Sequence, residues 1–372
     1  MRKTKILFSF GTRPEVIKMA PLIKLFKENK NFQIKVCNTG QHVDLIDSLM
    51  EYFGIFPDYN LKIMKLSKSL NQTLSLIIWK IEEVLIDFSP DYIFVHGDTT
   101  SSFAAGLAGF NCKTKVVHIE AGLRSHNYEA PFPEEMNRVL SSKIASLHFS
   151  PTKAARENLI KENIDAKKII VTGNTVVDAV LSTSIDPDIE LSKPMQEKIK
   201  GKRIILFTGH RRENFGAPFV RIFQALNEIT LKFDDVIIVF PVHPNPKIKQ
   251  AAKNYFKSKD SILLISPLDY PEFVYLMKIS HIIISDSGGI QEEAPSLGIP
   301  VLVTREVTER MEGILAGTSI LVGSDKEKIV SITSKLLSDA SFYDSFKSIE
   351  NPYGDGSSSK NILNYFIKNA KK

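Results

Sequence analysis

KILFSFGTRPE, residues 5–15, is the stretch that decides the fold, because an apolar run ends in a glycine and passes directly into a helix start. The branched and aromatic side chains of the run are typical of a strand buried on both faces. Thr12 and Glu15 have the spacing of a capping box, and Pro14 suits the first turn of a helix. The stretch therefore predicts a strand, a short loop and a helix in succession.

The same pattern recurs along the chain. Further strands are predicted at Gln33 to Asn38, Tyr92 to Val95, Val116 to Ile119 and Ile169 to Thr172. Between them, apolar residues at three- and four-residue spacing, as in Glu15 to Glu28, predict amphipathic helices. Strand and helix alternate, so the predicted fold class is α/β, with a parallel sheet covered by helices on both sides.

A polar stretch near the middle of the chain divides it. Residues 185–203 contain Pro187, Pro194 and several lysines, and strand–helix alternation resumes at Ile204. We predict an N-terminal Rossmann-like domain over residues 1–184, a linker over 185–203 and a second Rossmann-like domain over 204–355. The basic charge of the linker fits a solvated connector or a nucleic-acid patch. The lack of interleaved aromatic residues for base stacking favours the connector.

Length and composition restrict the class of protein. A chain of 372 residues is longer than one hydrophobic core usually serves. Its 43% hydrophobic and 24% charged residues exclude a disordered chain. No apolar run has the length of a membrane span, and Cys37 and Cys112 fit buried thiols in a reducing compartment. The net charge of +6 points to small anionic ligands as readily as to a nucleic acid. We expect a soluble cytoplasmic protein that uses no metal and has no membrane or nucleic-acid partner.

Two cations follow the first predicted strand. Arg13 lies in the loop and Lys18 about one turn into the helix. Helix-terminal N–H groups and the helix dipole favour an anion at this place, so a phosphate or carboxylate site is one interpretation. The other is a helix start with two solvated cations.

Carboxylates follow the later strands of the first half. Asp98 comes after the strand Tyr92 to Val95, where it is a proton-transfer group or a helix cap. Glu120 closes an apolar strand and should face the crevice at the strand ends, where desolvation can raise a carboxyl pKa. Glu134 and Arg138 share one face of a later helix. These three carboxylates are candidates for acid/base chemistry.

The second half has its own polar strand ends. His210 follows the first strand there, beside a glycine and two arginines, which favours phosphate contact or acid catalysis over a packed histidine. Ser287, Gly288 and Gly289 form a turn into a helix where backbone N–H groups can approach a pyrophosphate, and Glu293 on the next turn can accept from ribose hydroxyls. The residues alone predict acid/base chemistry on a phosphorylated, nucleotide-linked small molecule.

A series of motifs closely resembles the non-hydrolysing UDP-N-acetylglucosamine 2-epimerases. In order, they are GTRPE at 11–15, HGDTT at 96–100, HIEAGLR at 118–124, PEEMNR at 133–138, TGNT at 172–175, GHRRE at 209–213, DSGGIQEEAPS at 286–296 and NPYGDG at 351–356. The resemblance covers almost the whole chain.

The resemblance implies a glycosyltransferase-B-like pair of Rossmann-type domains with the active site in the interdomain cleft. It also implies a C-terminal helix over residues 356–372 that packs back on the first domain, and a homodimer. The family interconverts UDP-N-acetylglucosamine and UDP-N-acetylmannosamine without a cofactor, by anti elimination of UDP to 2-acetamidoglucal and re-addition. The product of such a reaction would feed surface polysaccharide synthesis.

The family's site residues carry over position by position. The resemblance implies a catalytic set of Asp98, Glu120, Glu134 and His210. Arg13, Lys18, Arg138, Ser287, Gly288, Gly289, Glu293 and Arg310 correspond to the substrate-binding set.

Three groups of other functions remain open at this level. The hydrolysing sister enzymes release N-acetylmannosamine and UDP, although their first loop usually differs from the Pro14-Glu15 sequence seen here. An epimerase of a related UDP-2-acetamido sugar, or a glycosyltransferase on the same fold, is the second. A non-catalytic nucleotide-sugar-binding protein is the third, and it leaves the carboxylates unexplained.

Overall fold

A computed structural model describes residues 2–41, 46–187, 189–256 and 260–369, without the side chain of Arg212. The predicted domains also extend over residues that lie outside these ranges. The described chain forms two compact units. The N-terminal unit contains residues up to 179 together with the segment from residue 353 onward, and the C-terminal unit contains residues 180–352.

The N-terminal unit is built on a parallel sheet. Its strands are β1 (Thr4–Phe10), β2 (Phe32–Asn38), β3 (Tyr59–Asn60), β4 (Tyr92–His96), β5 (Lys115–Ile119), β6 (Leu147–Ser150) and β7 (Ile169–Val171). They lie in the order β3-β2-β1-β4-β5-β6-β7, so the chain reverses direction across the sheet between β1 and β4. Every described strand pair in it is parallel. This is the strand arrangement of a Rossmann-like domain.

Helices connect these strands. They are α1 (Arg13–Glu28), α2 (Asp47–Tyr52), α3 (Leu70–Phe88), α4 (Thr100–Asn111), α5 (Glu134–Ile144), α6 (Lys153–Lys161) and α7 (Thr175–Ser184). The predicted start of α1 is present, because the Thr12 N–H donates to Glu15 Oε2 at 2.8 Å and Pro14 lies in the first turn. The rings of Phe8 on β1 and Phe94 on β4 are 4.8 Å apart and form part of the core.

The C-terminal unit repeats this architecture. Its strands are β8 (Arg203–Thr208), β9 (Val236–Pro241), β10 (Ile262–Ile265), β11 (Ile282–Ser285), β12 (Val301–Val303) and β13 (Ser319–Leu321). Its helices are α8 (Lys193–Ile199), α9 (Ala217–Lys232), α10 (Pro246–Tyr255), α11 (Tyr270–Ile279), α12 (Gly288–Glu293), α13 (Met311–Ala316), α14 (Lys326–Ser338) and α15 (Ala340–Lys347). The strands are parallel in the order β10-β9-β8-β11-β12-β13. Two Rossmann-like α/β domains are therefore confirmed, and the stretch predicted as a linker contains α8.

The last helix, α16 (Ser358–Asn369), belongs to the N-terminal unit. The Phe366 ring on α16 lies 5.1 Å from Phe94 and 5.8 Å from Phe26 of α1. Burial of one such aromatic side chain contributes roughly 2 to 3 kcal/mol to stability. The helix α16 is thus anchored in the core of the N-terminal unit. Among the described helices, none is long and apolar enough to cross a membrane.

Candidate active site

The polar residues of the N-terminal unit gather at the carboxyl ends of β1, β4 and β5. In parallel sheets, a crevice for ligands opens where the strand order reverses, which here is between β1 and β4. Arg13 follows β1, Asp98 follows β4 and Glu120 follows β5. The topology therefore brings together residues that are far apart in sequence.

Glu120 is the centre of a buried cluster. Lys18 on α1 forms an ion pair with Glu120 Oε2, and both side chains are less than a tenth exposed. The Asn174 amide donates to the same oxygen at 2.7 Å. Glu120 has a φ of +61°, a backbone conformation that costs a non-glycine residue free energy and is frequent at functional sites. The cluster thus holds one carboxylate in a defined direction.

Two buried imidazoles surround this carboxylate. His96 Nε2 lies 4.0 Å from Glu120 Oε2, and His118 Nε2 is 2.8 Å from the Gly97 carbonyl. Burial lowers the pKa of His96 to about 3 and that of His118 to about 4. Both rings are therefore neutral at neutral pH, and Lys18 supplies a positive charge in contact with Glu120.

Asp98 belongs to a second ion-pair network. Its Oδ2 is 2.5 Å from Arg138 Nη2, and Arg138 Nη1 donates to Glu135 Oε2 at 2.9 Å. Burial opposes ionisation of Glu135, but N–H donors from Ser125 and the Arg138 contact hold its pKa below the usual range. Arg138 is thus fixed between two carboxylates. Asp98 is not the helix cap, because Thr99 accepts the Ser102 N–H at the start of α4.

Glu15 connects the loops after β1 and β4. Its Oε2 accepts the N–H groups of Gly11 and Thr12 at 3.1 and 2.8 Å, and its Oε1 accepts the Thr99 hydroxyl at 3.0 Å. Burial raises the pKa of Glu15 to about 7, although these donors act in the opposite direction. The side chain keeps the Arg13 loop next to the Asp98 loop.

Arg13 and Glu134 differ from the other predicted site residues of this unit in their contacts. Both are half-buried, and neither makes a hydrogen bond or ion pair to another residue within the described ranges. Each is therefore available to a ligand, Arg13 for an anion and Glu134 for a hydroxyl or a proton.

His210 in the C-terminal unit is oriented by a buried carboxylate. Asp286 Oδ1 lies 3.0 Å from His210 Nδ1, and Asp286 also accepts the His210 and Arg211 N–H groups at 2.9 Å. Burial alone would raise the pKa of Asp286, but the contacts with His210 and with N–H donors hold it below the usual range. His210 remains 38% exposed. Its Nε2 is thus left to face solvent or a ligand.

Arg310 lies over the glycine turn that begins α12. Its Nε donates to Glu292 Oε1 at 3.1 Å, and Glu309 forms a further ion pair with it. A methyl group on Gly288 would lie 3.1 Å from Arg310 Cζ, so a side chain there would press on the guanidinium group. Glu293 and Ser287 lie at the same turn, where the Ser287 N–H donates to Ser285 Oγ at 2.9 Å.

Sequence reasoning missed several partners of these residues. Asn174, Glu135 and Asp286 each fix a predicted site residue, although none was assigned a role. Asp286 directly follows β11, and Asn174 follows β7 after a glycine, so strand-end position was the available signal. Glu135 carried no such signal. Among the described residues, no three His, Cys, Asp or Glu side chains are grouped so as to hold a metal ion.

Comparisons with known proteins agree over nearly the whole chain. Residues 24–367 match the family described as UDP-N-acetylglucosamine 2-epimerase. The chain is 48% identical to a UDP-N-acetylglucosamine 2-epimerase of Salmonella borreze, with 98% of both chains covered. It is 45% identical to that of Bacillus subtilis, over 98% of this chain and 95% of the other. A crystal structure of UDP-GlcNAc 2-epimerase from Neisseria meningitidis bound to UDP-GlcNAc is 44% identical with a TM-score of 0.89, covering 98% of this chain and 100% of that one.

Proposed function

The chain belongs to the UDP-N-acetylglucosamine 2-epimerase family and is an isomerase acting on that sugar nucleotide, and we propose that it works without net hydrolysis. In this proposal, UDP-N-acetylglucosamine and UDP-N-acetylmannosamine interconvert by elimination and re-addition of UDP. The observation that carries the proposal is the buried Glu120 cluster beside the Asp98–Arg138 pair. Such a site offers carboxylates for proton transfer in fixed positions.

The elimination step moves one proton and breaks one bond. A carboxylate removes the C2 proton, the C2 electron pair forms the C1–C2 double bond, and the C1–oxygen bond to UDP breaks. The products are 2-acetamidoglucal and UDP. Re-addition of UDP at C1 with protonation of C2 on the opposite face gives the epimer. No net oxidation occurs, so the proposed route uses no cofactor.

We assign the proton transfers to Asp98, Glu120 and Glu134. Glu120 and Asp98 are each held by a cation, Lys18 and Arg138 respectively, which supports their placement against a substrate. Glu134 is half-buried and open to a ligand. In this assignment Lys18 and Arg138 also balance the negative charge that develops as the diphosphate departs.

We assign the stabilisation of the leaving diphosphate to His210. Because Nδ1 faces Asp286, the opposite ring nitrogen can donate a proton or hydrogen bond to a phosphate oxygen. Arg13 supplies a further cation, and we assign the rest of UDP binding to the α12 turn and to Arg310, which lies over it. The residues of the turn and its helix are Ser287, Gly288, Gly289 and Glu293. The structure of the relative bound to UDP-GlcNAc supports a UDP-sugar as the ligand.

An NMR time course in deuterated water tests the reaction. The protein is incubated with either sugar nucleotide and with no added cofactor. We expect one equilibrium mixture from both starting points and deuterium at C2 of both species. Accumulation of free N-acetylmannosamine as the main product would show the hydrolysing reaction instead. Turnover limited to a different UDP-2-acetamido sugar would change the assigned substrate.

A homodimer is also part of the proposal, and an apolar surface on α3 and α4 supports it. Trp79, Ile86 and Phe110 are 55%, 71% and 57% exposed, and large exposed apolar side chains of this kind mark interaction surfaces. Sedimentation should give twice the chain mass for the wild type. Ile86→Lys should reduce it to one chain mass. Leu231→Lys, at the similarly exposed Leu231 on α9, is the control that should stay dimeric.

We place the enzyme in the cytoplasm and its product in surface polysaccharide synthesis. Both cysteines are free thiols, which supports a reducing compartment. A strain lacking the gene should lose N-acetylmannosamine from its surface glycans. Unchanged glycan composition would contradict the proposed pathway.

A further inference from the structure

Asn174 joins the carboxylate of Glu120 to the C-terminal segment of the chain. It is 2% exposed and uses three hydrogen-bonding groups at once. Its Nδ2 donates to Glu120 Oε2 at 2.7 Å, its Oδ1 accepts the Val176 N–H at 3.1 Å, and its backbone N–H donates to the Tyr353 carbonyl at 2.7 Å. Both ends of the residue are therefore fixed, and the amide has one defined direction.

Glu120 needs contacts that fix its conformation. Its left-handed backbone conformation is unfavourable for a glutamate, so the contacts around it must keep it there. Lys18 contributes charge, but an ammonium group on a long flexible chain fixes direction weakly. The Asn174 amide sits at the start of α7, on a short side chain with few rotamers. Compared with Lys18, Asn174 is better suited to setting the orientation of the carboxylate.

The C-terminal segment in turn holds Asn174. Gly173 has a φ of +87°, and a methyl group there would lie 3.2 Å from the Tyr353 carbonyl and 2.5 Å from Ser358 Oγ. Asp178 on α7 accepts the Ser359 N–H at 2.8 Å at the start of α16. Residues 353–359 therefore press closely on the start of α7 and are anchored there.

We propose that Asn174 is a positioning residue for Glu120, and that residues 353–359 hold it in place. The inference rests on the proposed function, in which Glu120 transfers the C2 proton. Through this chain of contacts, residues 353–359, which are remote from Glu120 in sequence, set the geometry of the reaction.

Asn174→Ala and Asn174→Asp provide the main test. Both remove the N–H donor to Glu120, and the aspartate keeps the shape and the acceptor for Val176. We expect kcat to fall about 10- to 100-fold in both variants, with KM within about twofold of wild type. Asn174→Asp also places a second carboxylate beside Glu120, so it combines loss of the donor with an added like charge. Wild-type kcat and pH profile in Asn174→Asp would therefore overturn the proposal, even if Asn174→Ala fails to fold.

The pH profile gives a second readout. Glu120 faces Lys18 from α1, His96 from the end of β4 and His118 on its own strand, in addition to Asn174. Loss of a donor to a carboxylate favours its protonated form. The acid limb of the kcat profile should move to higher pH in both variants. Asn158→Ala is the control, because Asn158 donates to the Gly122 carbonyl at 3.0 Å in the same turn but not to Glu120. Its acid limb should stay unchanged.

A titration separates this inference from the proposed function. With 13C-labelled glutamate, the Glu120 carboxyl signal is assigned by its loss in Glu120→Gln and followed against pH. We expect a midpoint at least about half a pH unit higher in Asn174→Ala than in wild type. If the wild type forms no UDP-N-acetylmannosamine, the proposed function fails while this titration still applies. Identical midpoints would overturn the inference by themselves.

Gly173→Ala tests the part played by residues 353–359. The added methyl group should push this segment away and reproduce a smaller part of the shift in the acid limb, with kcat lowered about threefold or more. Gly201→Ala is the matched control, because Gly201 has a similar φ of +73° and nothing within 4 Å of the added group. If the acid limb of the kcat–pH profile is unchanged in Gly173→Ala, residues 353–359 do not hold Asn174 in place.

Discussion

The two units place their polar residues in different surroundings. In the N-terminal unit, Lys18 and Glu120 are a buried ion pair, and Arg138 is locked between two carboxylates. In the C-terminal unit, His210 is 38% exposed and rests on one buried carboxylate, Asp286. Arg310 in this unit is also held by two carboxylates, so the difference lies in the proton-transfer candidates. Glu120 and Asp98 are each fixed by a cation, whereas His210 is oriented on one side and open on the other. Fixed charges suit proton transfer, and an open donor suits a group that arrives and leaves.

The largest expected effect concerns acid stability of the N-terminal unit. His96, His118 and His148 are buried, and burial lowers their pKa values to about 3, 4 and 3. In the unfolded chain these three histidines bind protons as the pH falls below about 6.5, whereas in the folded chain they stay neutral. The folded state therefore loses stability in this pH range. For each imidazole, the free energy of unfolding should fall by about 2 kcal/mol between pH 7.5 and pH 5. The three together should lower it by about 6 kcal/mol.

Urea unfolding at the two pH values measures this loss, and the single tryptophan, Trp79, reports on the N-terminal unit. His148→Phe should reduce the loss by about a third, because one of three titrating groups is removed. His126→Asn is the control at an exposed histidine and should leave the loss unchanged. Equal stability at pH 7.5 and 5 would contradict the buried neutral imidazoles.

Removal of the fixed carboxylates should have the next largest effect. Glu120→Gln and Asp98→Asn keep the shape and abolish ionisation, so kcat should fall roughly 10²-fold or more while UDP affinity stays nearly intact. The measurement is C2 hydrogen exchange together with UDP calorimetry. Glu162→Gln, which breaks the ion pair to Arg124 in the same unit, is the control. Near-full exchange in both site variants would make the carboxylates structural.

Arg13 is expected to act on affinity more than on rate. Arg13→Ala removes a cation that has no partner within the described ranges, so UDP binding should weaken by roughly 1.5 to 3 kcal/mol. Calorimetry with UDP measures the change. Lys24→Ala, at the exposed Lys24 further along α1, should bind UDP as the wild type does. Wild-type UDP affinity in Arg13→Ala would remove Arg13 from the binding set.

The smallest expected effect lies at Asp286. Asp286→Asn should lower kcat about tenfold, because His210 loses the partner that orients its ring. Steady-state kinetics should show this loss in kcat, with KM within about twofold of wild type. A wild-type kcat would show that Asp286 only supports the loop. It would also weaken the contrast between the two units.

Much of the fold could be predicted because its signals are local. Apolar runs, three- and four-residue spacing and glycine turns show where strands and helices begin and end. The Thr12–Glu15 capping box was predicted and is present at the start of α1. The alternative interpretation of Asp98 as a cap was wrong, because Thr99 caps α4 one residue later. A one-residue error of this kind is expected, since both side chains can cap a helix.

The partners of the site residues could not be predicted in the same way. Glu134 and Arg138 have helical spacing, yet the structure shows Arg138 paired with Asp98, from a different strand end, and with Glu135. Asn174 reaches Glu120 across 54 positions of sequence because β7 and β5 end at the same sheet edge. Asp286 meets His210 because β11 and β8 are neighbours.

The sequence by itself determined the α/β alternation, the polar character of the strand ends and the family to which the chain belongs. Periodicity, turn residues and motifs are properties of short stretches and can be recognised without a partner. The tertiary structure alone decided which charges neutralise one another, which imidazoles are neutral, and that the C-terminal segment reaches Asn174. Those properties depend on burial and on distances between remote residues, because a charge changes its behaviour with the groups and solvent around it.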